Sequence, residues 1–200
     1  LVLEANDYLN TAGLGDCLSG YSGIAEWKHN AKMGKGSKVD QELVGNTINR
    51  YEQMAADFQR SLSANGELTS ESVCFITKSL QERDGKSLVH ESAIAADHAF
   101  LQSIELANDK GWVHGELVAL GAVIVAWQCN ENPDLITNWL DRCRVRRKPV
   151  HMGVSYAGLQ FCRSFFQDSE SEIDIDSIMR RSPVTGSKYE ELWQFLNKET

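Results

Sequence analysis

The chain is predicted to be all-α, on three observations. Apolar residues recur at three- and four-residue steps through nearly the whole sequence. No run of alternating apolar and polar residues marks a strand, and no internal repeat is present. The three prolines, Pro133, Pro149 and Pro183, all fall late, so everything before them can run helical without a proline break. At 200 residues the chain makes one medium domain or two small ones. A chain of that size buries roughly 70% of the surface its unfolded form exposes. The expected architecture is a single domain of roughly seven to nine helices. The stretch 144–149 is the best place for a change of direction.

The elements follow in order. From Leu14 to Lys32 one helix is predicted, because Leu14, Cys17, Leu18, Tyr21, Ile24, Ala25 and Trp27 keep helical spacing. Gly34, Gly36 and Ser37 then break the pattern. A second helix is predicted from about 40 to 62, with Leu43, Val44, Ile48, Tyr51, Met54 and Phe58 on one side. Asn65-Gly66 signals a turn. Thr69 or Ser70 can cap a third helix carrying Val73, Phe75, Ile76 and Leu80, closed by Asp84-Gly85. A fourth covers about 91–106, with a loop from Asn108 to Gly111. A fifth, about 114–128, is apolar on nearly every side and belongs at the domain centre. The uncharged stretch inside it is too short to span a bilayer. Asn132-Pro133 is predicted as the cap and first turn of a sixth helix that ends near Cys143. A last helix opens at Ser187 with a capping-box pattern, Glu190 standing three residues on.

Composition excludes several classes. With 42% hydrophobic and 24% charged residues, the chain is no disordered tail, collagen-like repeat or coiled-coil rod. A net charge of −8 makes nucleic acid and anionic membrane surfaces poor partners. Five cysteines, an odd count with no C-x-x-C, argue against a disulfide framework and for a reducing, cytoplasmic setting. Glu4 and Asp7 interrupt the start, so no signal peptide is expected. Leu1 opens the chain without a methionine, as in a domain cut from a longer protein or an incompletely numbered chain.

Two fragments imitate a phosphate loop: Gly34-Lys35-Gly36-Ser37-Lys38 and Gly85-Lys86-Ser87. The full motif needs an earlier glycine and a strand before it. Leu80 stands where the second fragment needs that glycine, so both are expected to be turns between helices. The basic run Arg142, Arg144, Arg146, Arg147, Lys148 can hold a phosphate or a partner's carboxylates, or can simply complement a helix C-terminus. His29, His90 and His151 lie in polar surroundings and are expected at the surface.

Asp16, His98 and His114 differ as a set. Each sits among alanines, glycines and leucines, where a carboxylate or imidazole must find a partner. A carboxylate and two imidazoles from different helices make a three-ligand metal site with a coordination position to spare, the catalytic pattern. Local hydrogen bonding of three separate buried groups is the alternative. On an ideal antiparallel pair, His98 lies about 15 Å before the turn and His114 about 5 Å after it. Convergence was therefore expected only if the fourth helix stops early, near Ser103.

These stretches resemble the metal-binding segments of the iron-containing alcohol dehydrogenase superfamily, and more closely its glycerol and glycerol-1-phosphate dehydrogenase branches. The run A-G-L-G-D ending at Asp16 is similar to that family's G-x-G-D segment, and Tyr21 through Glu26-Trp27-Lys28 is similar to its Y-x-x-x-x-D-W-[KR]. The run E-S-A-I-A-A-D-H-A around His98 resembles E-S-G-G-L-A-A-A-H-A. The run H-G-E-L-V-A-L-G from His114 to Gly121 matches H-G-E-x-V-A-x-G.

The resemblance implies a helical domain of the dehydroquinate synthase-like or iron-containing alcohol dehydrogenase C-terminal type, spanning 1–200. It implies that Asp16, His98 and His114 are the catalytic metal ligands. Zn²⁺ is the favoured ion, with Fe²⁺ possible, and NAD(P) is bound mainly by an N-terminal nucleotide-binding half absent from this chain. The implied substrate is a small alcohol or polyol or its phosphate ester, the implied assembly a homo-oligomer, and the isolated chain is expected to be inactive. Glu91 or Asp97 can orient a ligand imidazole; Glu116 is expected as a first-turn acid rather than a catalyst. The chain departs from the family pattern at Gly20, Ala93, Ile94 and Leu101, so the resemblance leaves the substrate open. Two rivals remain at this stage: a dehydroquinate synthase-like carbon–oxygen lyase, whose family normally has glutamate at the position of Asp16, and a non-catalytic helical assembly domain.

Overall fold

A computed structural model describes residues 5–85, 96–107, 111–160 and 187–198. Helices α1 (Asp7–Leu18) and α2 (Tyr21–Lys32) come first, then α3 (Gln41–Arg60) and α4 (Ser70–Gly85). They are followed by α5 (Ala96–Ala107), α6 (His114–Cys129) and α7 (Pro133–Arg142). A single turn, α8 (Pro149–Met152), and a last helix, α9 (Ser187–Asn197), complete the labelled elements. No strand occurs among the described residues, and the domain is all-α as expected. The predicted residues 91–95 of the fourth helix, His90, Glu91, Lys86, Ser87, Asn108 and Cys162 lie outside the described residues.

The single helix predicted from Leu14 to Lys32 is two helices. The Ser19 hydroxyl donates to the Asp16 carbonyl at 2.8 Å, and the Ser22 N–H steps back only three residues to the Ser19 carbonyl. This is a tightened turn, in which Ser19 and Gly20 stay in the right-handed region. Apolar spacing passes through such a turn almost undisturbed. A Cβ on Gly20 would overlap the Tyr51 hydroxyl, so the close passage of α3 depends on glycine there.

Caps set the next starts. The Asp40 carboxylate accepts from the N–H groups of Glu42 and Leu43, both at 3.0 Å. Thr69 rather than Ser70 caps α4: Ser72 N–H donates to Thr69 Oγ1 at 3.2 Å, and Thr69 N–H donates back to Ser72 Oγ at 2.7 Å. Asn132 departs from expectation. It makes no side-chain cap, and its backbone is left-handed at φ 39°. Asn130 is left-handed too, at φ 54°, so the chain reverses within the few residues between α6 and α7. Asparagine tolerates that region far better than most residues. The asparagines therefore serve the backbone of the turn.

α6 is buried along nearly its whole length and forms the core, with α1, α2, α5 and α7 packed around it. Trp139 of α7 is fully buried. It lies edge-on to Tyr21 at 5.5 Å between centroids and tilted against Tyr51 at 5.5 Å. Its indole N–H donates to Glu52 Oε2 at 2.9 Å. Burial, aided by the Glu131 charge, pushes the Tyr21 phenol up to about 12. The change of direction expected at 144–149 is present. Arg144 takes the left-handed conformation at φ 56°, and α8 starts at Pro149.

Candidate metal centre

Glycines bring the three residues together. Where α1 meets the start of α6, a Cβ on Gly15 would overlap the Gly115 carbonyl, and one on Gly115 would overlap the Ala12 carbonyl. Only glycine permits that backbone-to-backbone approach. Asp16 follows Gly15 and His114 precedes Gly115, so the contact carries a carboxylate to an imidazole. Gly121 does the same for α5: a Cβ there would lie 2.6 Å from the Asp97 carbonyl oxygen. His98 is the next residue along.

Asp16, His98 and His114 each offer one donor atom, and the three atoms lie within 4.8 Å of one another. Both imidazoles turn Nε2 toward Asp16 Oδ1, His98 at 3.7 Å and His114 at 3.8 Å. Their ring centroids are 5.5 Å apart, at an interplanar angle of 61°. Asp97, 4% exposed, accepts the His98 N–H at 2.8 Å through Oδ1, and the same oxygen lies 3.1 Å from His98 Nδ1. An Nδ1 proton shared with Asp97 leaves the Nε2 lone pair facing Asp16. Side-chain exposure rises across the group, from 14% at Asp16 to 32% at His98 and 56% at His114. The group therefore has a buried floor and an open rim.

The histidines meet without the early helix stop that convergence was expected to need. α5 continues to Ala107. The axial offset of about 10 Å describes backbone positions on ideal axes. The side chains nevertheless meet, with ring centroids 5.5 Å apart. Of the two acids proposed to orient a ligand, Asp97 is placed to do so, and Glu91 lies outside the described residues.

The four arginines of the basic run find partners within this chain. Arg142 pairs with Glu52 at 2.5 Å and Arg144 with Asp7 at 3.6 Å. Arg147 makes a bidentate pair with Asp141 at 2.8 and 2.7 Å. Arg146 holds Glu116 through two bonds, Nε to Oε1 at 2.6 Å and Nη2 to Oε2 at 2.7 Å. Those bonds raise the Arg146 guanidinium above its ordinary value. The guanidinium carbon also sits 3.7 Å over the Tyr8 ring. Glu116 is a first-turn acid, as expected, but a buried one at 2% exposure. The pairing with Arg146 was not foreseen, because nothing local links residues thirty positions apart.

The first phosphate-loop imitation is a turn between α2 and α3, as expected. It borders a cavity of about 730 Å³, where Lys28 and Lys32 both pair with Glu131. His29 lies in the last turn of α2 and His151 is exposed on α8. The thiols of Cys17, Cys129 and Cys143 are buried, and that of Cys74 is exposed. No helix among the described residues is long and apolar enough to cross a membrane.

No protein-family model matches the chain. The chain is similar to a glycerol-1-phosphate dehydrogenase [NAD(P)+] from Saccharolobus solfataricus, at 28% identity over 152 residues. That match covers 74% of this chain and 41% of the relative, so the chain spans about two fifths of the length of the curated protein it matches.

Proposed function

We propose that this chain is the metal- and substrate-binding part of a metal-dependent dehydrogenase. Its substrate class is a small alcohol, a polyol or a polyol phosphate, and NAD(P) is held mainly by a nucleotide-binding half outside these 200 residues. One observation carries this reading: three helices present three donor atoms within 4.8 Å of one another. Similarity to a glycerol-1-phosphate dehydrogenase supports the polyol-phosphate class.

The residues fit a divalent ion. Two imidazoles and one carboxylate suit zinc or iron, and three protein ligands leave a position for substrate. When bound, the ion supplies Lewis acidity that lowers the pKa of a substrate hydroxyl. The side chains do the rest. Asp97 fixes the His98 ring so that Nε2, not Nδ1, is presented. Asp16 contributes a single negative charge, which leaves a divalent site net positive toward an oxygen ligand. The half-exposed His114 marks the side from which substrate and cofactor approach.

The test is metal content per chain, after purification without chelator and after reconstitution. Near-stoichiometric zinc or iron is expected in the parent. Its loss is expected in Asp16→Asn, His98→Ala and His114→Ala. Full metal retention in any variant removes that residue from the site, and a parent that takes up no metal overturns the proposal.

A further inference from the structure

We infer that Arg146 and Glu116 are positioning residues that hold His114 at its distance from Asp16; this rests on reading Asp16, His98 and His114 as one metal site.

His114 is the first residue of α6, and the residue before it, Val113, offers no side-chain cap. A helix start without a cap leaves its first N–H groups short of partners. The Gly115–Ala12 contact holds the backbone there but does not fix the rotation of the first turn about its axis. Glu116, two residues on, supplies that restraint: the side chain is buried and both its oxygens are held by one guanidinium. A bidentate arginine–carboxylate pair fixes orientation as well as distance.

Arg146 in turn is tied to α1, the helix that carries Asp16. Its guanidinium stacks on Tyr8 in the first turn of α1. Two residues earlier, the Arg144 carbonyl accepts from the Thr11 hydroxyl at 3.0 Å. Between them Val145 lies against Gly15, where an added Cβ would come within 2.9 Å of Val145 Cγ1. Residues 144–146 thus form a spacer between α1 and the first turn of α6.

The neighbouring Arg147–Asp141 pair is an internal control. It is also bidentate, and Arg147 is 3% exposed, but it binds α7 and reaches toward the Leu196 carbonyl of α9 rather than α6. Arg147→Lys is therefore expected to lower stability and leave the site unchanged.

The test uses the full chain with three readouts: zinc affinity by chelator competition, melting temperature, and the nuclear Overhauser contact between the His98 and His114 rings in metal-free protein. The double variant Glu116→Leu with Arg146→Met removes both charges and keeps apolar packing, an exchange that buried ion pairs often tolerate. It is expected to melt within a few degrees of the parent, to lose the ring contact, and to bind zinc about tenfold or more weakly. An unchanged ring contact and unchanged zinc affinity overturn the inference. If the double variant does not fold, Arg146→Lys decides. Lysine cannot reproduce the fork, so about threefold or greater weakening is expected, and parent-like affinity overturns the inference. A parent that binds no zinc, yet whose ring contact responds to these variants, sinks the metal reading and leaves the positioning pair standing.

Discussion

Gly15, Gly115 and Gly121 decide where the three candidate ligands meet, because each lets one backbone touch another. Gly115→Ala forces a Cβ into the Ala12 carbonyl, a backbone atom that cannot rotate away. The expected cost is on the order of 3 kcal/mol or more, above ordinary overpacking. Gly45, inside α3, is the counter-case, since a Cβ there meets nothing within 4 Å. Gly45→Ala should stabilise by about 0.5–1 kcal/mol through helix propensity alone. Urea unfolding of both variants checks the pair, and parent-like stability of Gly115→Ala would remove the contact from the account. The glycines were legible in the sequence as parts of a family pattern. Their purpose was not, because a crossing contact shows only when both helices are in place.

At the level of elements, α3 and α7 are joined by a polar strut. Glu52 accepts from Arg142 and from the Trp139 indole, and those hydrogen bonds hold its carboxyl below the ordinary value of 4.5. A carboxyl depressed in the folded state contributes stability above its unfolded value, and that stability is lost as pH falls through the folded value. Glu52 is half exposed, so the contribution is modest. Glu52→Gln should therefore lower the melting temperature modestly at neutral pH and converge on the parent in acid, which flattens the fall below about pH 4.5. An unchanged acid limb would show that the strut does not hold α7. The helices themselves were largely legible: α3 and α6 start and stop within two residues of their predicted bounds. The break at Ser19-Gly20 escaped because a tightened turn keeps helical spacing. Asn132 was misassigned because the same residue type serves as a cap and as a left-handed hinge. The arginine run was legible as charge, but its partners come from α1, α3, α6 and α7 and no local pattern names them.

Across the molecule, the most buried helix, α6, carries the most exposed of the three candidate ligands at its first residue. α6 is packed from its second residue onward, and only the His114 side chain at its first position opens at the rim. That placement has a kinetic consequence. A metal enclosed by packed side chains is released only when the fold opens, so its loss tracks unfolding. A metal on a rim exchanges by ligand substitution in the native state. Zinc removal by excess chelator should proceed at a rate independent of urea below the unfolding transition, and a rate that climbs in step with unfolding would show the rim to be closed. On the proposed reading, filling, emptying and refilling the centre would need no refolding, and the folded chain would equilibrate with whatever ion surrounds it.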